Sequence, residues 1–170
     1  LTLHGRIANL PAQAVEVRVG LDPPYELSVT GEVEESALFS PQLRLTATYT
    51  TVPGSNRLVI HDVVENRAAQ PAEVQVLYHC NLGPPFLEAG GRVLAPVREL
   101  APLTARAAEG IDTYETYGGP VVGFAEQVYA YDLLADARGQ TLALLVNAAA
   151  DRGVALRCNR QELPCFTVWK

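Results

Sequence analysis

The sequence predicts an all-β protein of antiparallel strands. Apolar and polar residues alternate at period two in one run after another, whereas no stretch of ten or more residues repeats convincingly at helical spacing. The 12 Pro and 13 Gly spread over 170 residues cut the chain into short segments, the punctuation of a sandwich or barrel of many strands. A chain of this length is one domain's worth and can bury roughly 70% of its unfolded surface, so a single β-sandwich domain over residues 1–170 is expected.

The elements follow in order. Val15 to Val19, Leu27 to Val33 and Leu43 to Tyr49 each alternate cleanly, as half-buried antiparallel strands do. The turn cluster Pro53-Gly54-Ser55-Asn56 separates the third run from Arg57 to Glu65, which predicts a hairpin. Further strands are expected near 73–79, 126–134, 141–148, 153–158 and 166–169. The best helical candidate, Thr104 to Ile111, is short. Residues 83 to 123 carry five Pro, several Gly and little alternation, which predicts a long excursion across one face, where binding loops tend to lie.

Composition narrows the functional classes. With 48% apolar and 19% charged residues the chain is ordinary globular material, and intrinsic disorder is excluded. Thirteen Lys plus Arg against nineteen Asp plus Glu give a net charge of −6 without a basic cluster, so nucleic acid and anionic membranes are poor partners. The longest apolar runs, such as Thr141 to Ala150, reach about half of the roughly 20 residues that a membrane-spanning helix needs. No segment at the start reads as a signal peptide, which argues for a cytoplasmic setting. Cys80, Cys158 and Cys165 are spaced 78 and 7 apart, neither a disulfide framework nor a metal knuckle, and are expected as reduced, buried thiols. The chain has no Met and its first residues already read as structured, which suggests an excerpt of a longer polypeptide.

Phosphate-loop, dinucleotide and nucleophile-elbow motifs do not occur. The residues left to carry chemistry are three His, a few carboxylates and polar groups beside turns. His79 closes the apolar run Val76-Leu77-Tyr78 at the lip of the Pro/Gly-rich region, where a strand can fix the imidazole while a loop shapes a cleft beside it. A hydrogen-bonded core or edge histidine competes with that reading. His4, in Leu3-His4-Gly5-Arg6, sits at a strand-to-loop transition, and a surface or structural role competes there too. His61 is in mid-strand, where a structural role is favoured. His61 and His79 are 18 residues apart without a short-range partner, so no metal site is expected. Glu126 stands where the loop-rich region returns to a strand and could accept hydrogen bonds from ligand hydroxyls, against the plainer reading of a solvated strand end. Tyr78, Phe86, Tyr114, Tyr117 and Trp169 could offer flat apolar faces to a sugar ring, or simply fill the core.

Jointly, these strings resemble the aldose 1-epimerase (galactose mutarotase-like) superfamily, and more closely an uncharacterised bacterial branch of epimerase-like proteins with a domain of unknown function. Leu3-His4-Gly5-Arg6 is similar to the family's Leu-His-Gly-Gly. Leu43 to Tyr49 followed by Asn56-Arg57-Leu58-Val59-Ile60 resembles its long hairpin, and Tyr78-His79-Cys80-Asn81-Leu82-Gly83 stands where mutarotases have Asn-His-x-Tyr-Phe-Asn-Leu. The resemblance implies an antiparallel supersandwich of the galactose mutarotase-like type, of which this chain is a part lacking opening and closing strands. It implies an isomerase of carbohydrate metabolism that interconverts sugar anomers, with a non-catalytic carbohydrate-binding protein on the same scaffold as the alternative. By resemblance His79 is the general acid, His4 a second imidazole beside the ring, and Glu126 a binder of sugar hydroxyls. Arg6 and Asn81 are possible helpers because they adjoin the two histidines. Glu126 replaces an Asp of the mutarotases, and the family's general base, a Glu on later strands, matches no residue here. The sugar and the oligomeric state stay open.

Overall fold

In the computed structural model, residues 4–170 are described, and the chain divides into two compact units, Leu1–His79 and Cys80–Lys170. The first unit is a four-stranded antiparallel sheet in the order β1-β2-β3-β4, formed by Ala14–Val19, Leu27–Glu35, Leu43–Thr51 and Val59–Asn66. Its β3–β4 hairpin turns through Pro53 to Asn56, as expected. Gly54 takes φ +78° there, a backbone conformation that favours glycine.

Register decides which side chains share a face. Val17 opposes Val29, Val29 opposes Tyr49, and Tyr49 opposes Ile60. One face therefore carries Val15, Val17, Val19, Leu27, Val29, Val33, Leu45, Tyr49, Ile60 and Val64. The other carries Glu16, Arg18, Thr30, Thr46, Thr48 and His61, with the Thr30 and Thr48 hydroxyls 3.0 Å apart across the ladder. Asp62 is the exception: it opposes Ala47, in the same row as Gly31, and so stands on the apolar face.

The segment 73–79, expected as a strand, forms no ladder among the described residues. Its alternation describes which way side chains point in an extended chain, and it says nothing about whether a partner strand lies alongside.

The second unit contains two three-stranded antiparallel sheets, β10-β7-β6 and β5-β8-β9. The strands are β5 (Arg92–Leu94), β6 (Val97–Pro102), β7 (Val128–Leu133), β8 (Gln140–Val146), β9 (Gly153–Asn159) and β10 (Phe166–Trp169). Strands β5 and β6 correct the expectation of an irregular excursion over 83–123. Each is too short or too interrupted to show alternation alone, and each is recruited by a long partner, β8 or β7. The short helix α1, Ala105–Glu109, begins where Thr104 accepts a hydrogen bond from the Ala107 N–H at 3.0 Å.

The core of this unit is Ala107, Tyr129, Tyr131, Leu133 and Val168, with Leu100, Tyr114, Tyr117 and Phe166 packed around it. The Tyr129 hydroxyl, fully buried, donates to the Ala107 carbonyl at 3.0 Å and so fastens α1 to β7. Burial pushes the Tyr131 hydroxyl well above the ordinary phenol range. The thiols correct another expectation: all three are free, but only Cys158 is half-buried, while Cys80 and Cys165 are exposed. Among the described residues no helix is long and apolar enough to cross a membrane.

A bulge between Val97 and Glu99 brings Arg98 to Asp132. Arg98 Nε donates to Asp132 Oδ2 at 2.6 Å and Arg160 Nη2 to Oδ1 at 2.5 Å. The hydrogen bond from Arg98 is the main cause that holds the Asp132 carboxyl below its ordinary range, and the Arg160 charge adds to it. With the folded value below the unfolded one, the contribution to stability is present above about pH 4 and is lost as pH falls through the folded value. Asp132→Asn is therefore expected to lower the melting temperature at pH 7, and that deficit should shrink towards about pH 2. Melts at both pH values check it, and an equal deficit at the two would contradict it.

Candidate functional site

The strongest cluster of sequence-selected residues is in the first unit. His4 and His79, 75 positions apart in sequence, place their rings 4.9 Å apart, centroid to centroid, at an interplanar angle of 62°. The edge-to-face arrangement brings two imidazoles to one spot, each with ring nitrogens that can take part in hydrogen bonds. His4 reaches it through an unusual backbone. Its φ is +69°, and Gly5 follows at +80°, so two successive residues are left-handed before the 3-10 turn Ile7–Asn9. Histidine is among the non-glycine residues that tolerate this region, at a cost of order 1–2 kcal/mol, while glycine takes it freely.

Arg6 caps that turn with its backbone carbonyl, which accepts from the Asn9 N–H at 3.0 Å. Its side chain is exposed. The cluster instead has a neighbour that the sequence did not suggest. The Tyr78 hydroxyl donates to Asp62 Oδ2 at 2.6 Å, and Asp62 Oδ1 is buried without a hydrogen-bond partner among the described residues. Alternation alone could not find this pair, because β4 is apolar on both faces and only the register with Ala47 fixes which way Asp62 points.

Asn81 and Glu126 belong to the second unit. Asn81 is exposed. Glu126 precedes β7, and its Oε2 accepts a hydrogen bond from Trp169 Nε1 at 2.9 Å. Gln127 and Lys170 exchange backbone hydrogen bonds, both at 2.9 Å, which brings the ends of β7 and β10 together and sets the indole against the carboxylate. Trp169 is 52% exposed, so an aromatic face and a carboxylate stand side by side at the surface. Of the other aromatic candidates, Tyr114 packs on Tyr131 at 5.8 Å, and the Tyr117 hydroxyl donates to the Trp169 carbonyl, so both are structural. Lys170 Nζ donates to the Thr113 and Thr116 carbonyls and lies 5.5 Å from the Tyr117 ring, and its burial lowers the ammonium pKa. Among the described residues no three His, Cys, Asp or Glu side chains group as metal ligands would.

A family model described as a domain of unknown function, DUF4432, matches residues 1–170. No curated protein matches the chain. Among solved structures, the crystal structure of a putative aldose 1-epimerase from Klebsiella pneumoniae subsp. pneumoniae superposes with a TM-score of 0.97 at 42% identity. The match takes in 99% of this chain and 44% of the other, so this chain spans less than half the length of that protein. The antiparallel all-β fold expected from the resemblance is thus the fold of an epimerase-like protein, seen in part.

The left-handed pair offers a direct test of how the site is built. A Cβ on Gly5 would meet nothing within 4 Å, so Gly5→Ala is strained by its backbone alone. A loss of about 1 kcal/mol in chemical denaturation is expected, together with a weaker nuclear Overhauser contact between the His4 and His79 rings. Unchanged stability and an unchanged contact would contradict the account.

Proposed function

This chain belongs to the DUF4432 family, and from that membership and the imidazole pair we propose that it is the sugar-binding part of an aldose 1-epimerase-like isomerase. The single observation that carries the reading is the meeting of His4 with His79. Interconverting the anomers of an aldose requires the C1 hydroxyl to lose its proton, the bond from C1 to the ring oxygen to break, and the ring oxygen to gain a proton. Re-closure on the other face of the carbonyl reverses each step. No net oxidation occurs, and no cofactor is called for.

His79 is the group that protonates the ring oxygen, at the end of an extended segment that presents its imidazole. His4, packed edge to face against it, accepts or donates a hydrogen bond beside the ring and orients the His79 tautomer. By resemblance Glu126 binds sugar hydroxyls. Asn81 and Arg6 contribute further hydrogen bonds to hydroxyls. The acceptor of the C1 hydroxyl proton is assigned to no residue of this chain. In this reading residues 1–170 are part of one β-sandwich domain of a cytoplasmic protein.

The identity with the Klebsiella protein supports this reading, since at 42% the two share more than a fold. The test is anomer exchange, followed by nuclear magnetic resonance of the C1 protons, in the longest natural form of the protein across a panel of aldoses. The expected result is acceleration for at least one sugar, and a loss of at least about 100-fold in His79→Asn with little change in melting temperature. Exchange as fast as wild type in that variant would remove His79 from the mechanism. Saturation transfer to a sugar without exchange would instead mean a binding protein on an epimerase scaffold.

A further inference from the structure

Glu126 and Trp169 meet by strand register. Trp169 is paired with Val128, and the backbone exchange between Gln127 and Lys170 continues that ladder by one residue. Side chains two residues apart on a strand share a face, so Glu126 and Trp169 form a diagonal cross-strand pair, within reach for long and aromatic side chains. The bond between them runs from an indole N–H to a carboxylate at 2.9 Å, and it is the one hydrogen bond that the Glu126 side chain makes among the described residues. Both backbones are fastened to the body of the unit. Gln127, 6% exposed, donates through Nε2 to the Arg106 carbonyl at 3.1 Å, and Gly110 leaves its amide room that a Cβ would take. On the other strand the Trp169 carbonyl accepts from the Tyr117 hydroxyl at 3.2 Å, and Lys170 Nζ donates to the Thr113 and Thr116 carbonyls.

A fixed backbone does not by itself fix a glutamate side chain. Glu126 is exposed at a strand entrance, where an untied side chain samples several rotamers. Giving them up on binding a ligand costs on the order of tenfold in affinity. Resting on the reading that Glu126 binds sugar hydroxyls, we infer that Trp169 is a positioning residue for that carboxylate: its indole N–H holds Glu126 in one rotamer before the sugar arrives. Two carboxylate oxygens offer about four acceptor sites, so accepting one bond from an indole is compatible with accepting others from hydroxyls. A carboxylate ordered in advance binds ground state and transition state alike, so the effect falls on KM and leaves kcat in place.

The experiment uses the longest natural form of the protein with Trp169→Phe, Glu126→Ala and both together, and D-glucose, D-galactose and D-mannose as probes. Trp169→Phe keeps an aromatic ring at a position that is 52% exposed and removes the N–H. It is expected to raise KM for anomer exchange about fivefold, with kcat within about twofold of wild type. Added to Glu126→Ala it should raise KM no further, because its effect passes through the carboxylate. An unchanged KM in Trp169→Phe, with or without a lower melting temperature, would overturn the inference. So would an equal rise in KM on the Glu126→Ala background, which would mean that the indole acts through another contact. Three-bond couplings of the Glu126 side chain give a readout that needs no sugar: one rotamer in wild type, averaged rotamers in Trp169→Phe. Should the wild-type protein exchange none of the three aldoses, the epimerase reading falls separately. The couplings then decide alone, averaging in Trp169→Phe supporting the positioning role and unchanged couplings refuting it.

Discussion

Antiparallel register in the β1–β4 sheet is the constraint from which the candidate site follows. Side chains alternate at a period of two, so a slip of one residue between β3 and β4 would move every β4 side chain to the opposite face. With Ala47 opposite Asp62, the carboxylate comes up among Ile60, Val64 and Tyr49, where the Tyr78 hydroxyl meets it. Were Asp62 turned to the threonine-rich face, it would be an ordinary polar strand residue beside Thr48, and Tyr78 would have no such acceptor. Tyr78, which meets Asp62, immediately precedes His79 in the chain.

The two units manage their apolar surface differently. The second has a closed core in which Tyr129 and Tyr131 are nearly inaccessible and the helix α1 is bonded to β7 by a buried hydroxyl. The first leaves Val15, Val17 and Val19 more than 60% exposed on a face that reads as a core face in sequence. Alternation alone therefore marks a face fit for burial, and the structure decides what is buried. The functional candidates divide likewise: an imidazole pair with a tethered neighbour in one unit, and a carboxylate braced by an indole in the other.

The parts of the fold legible in sequence were those with a local signal. β2 and β3 alternate over seven residues, a recognisable turn joins β3 to β4, and the helix α1 lies within the helical candidate Thr104 to Ile111. β5, three residues long, and β6, which ends in Pro102, have no such signal, because their pairing comes from β8 and β7. Over 73–79 the alternation has no ladder beside it among the described residues. His79 stood out by its place at a strand-to-loop boundary, and His4 joined it only through the family resemblance, since nothing local predicts contact across 75 positions. The bond from Trp169 to Glu126 and the one from Tyr78 to Asp62 were illegible for the same reason: each links side chains whose approach depends on tertiary register.

The central claim is that a sugar binds at the imidazole pair, and the most direct measurement follows the His4 and His79 ring signals by nuclear magnetic resonance while an aldose is added to the longest natural form of the protein. The account predicts that both sets of signals shift together and saturate with one sugar. Saturable binding of an aldose that leaves both imidazoles unmoved would contradict it.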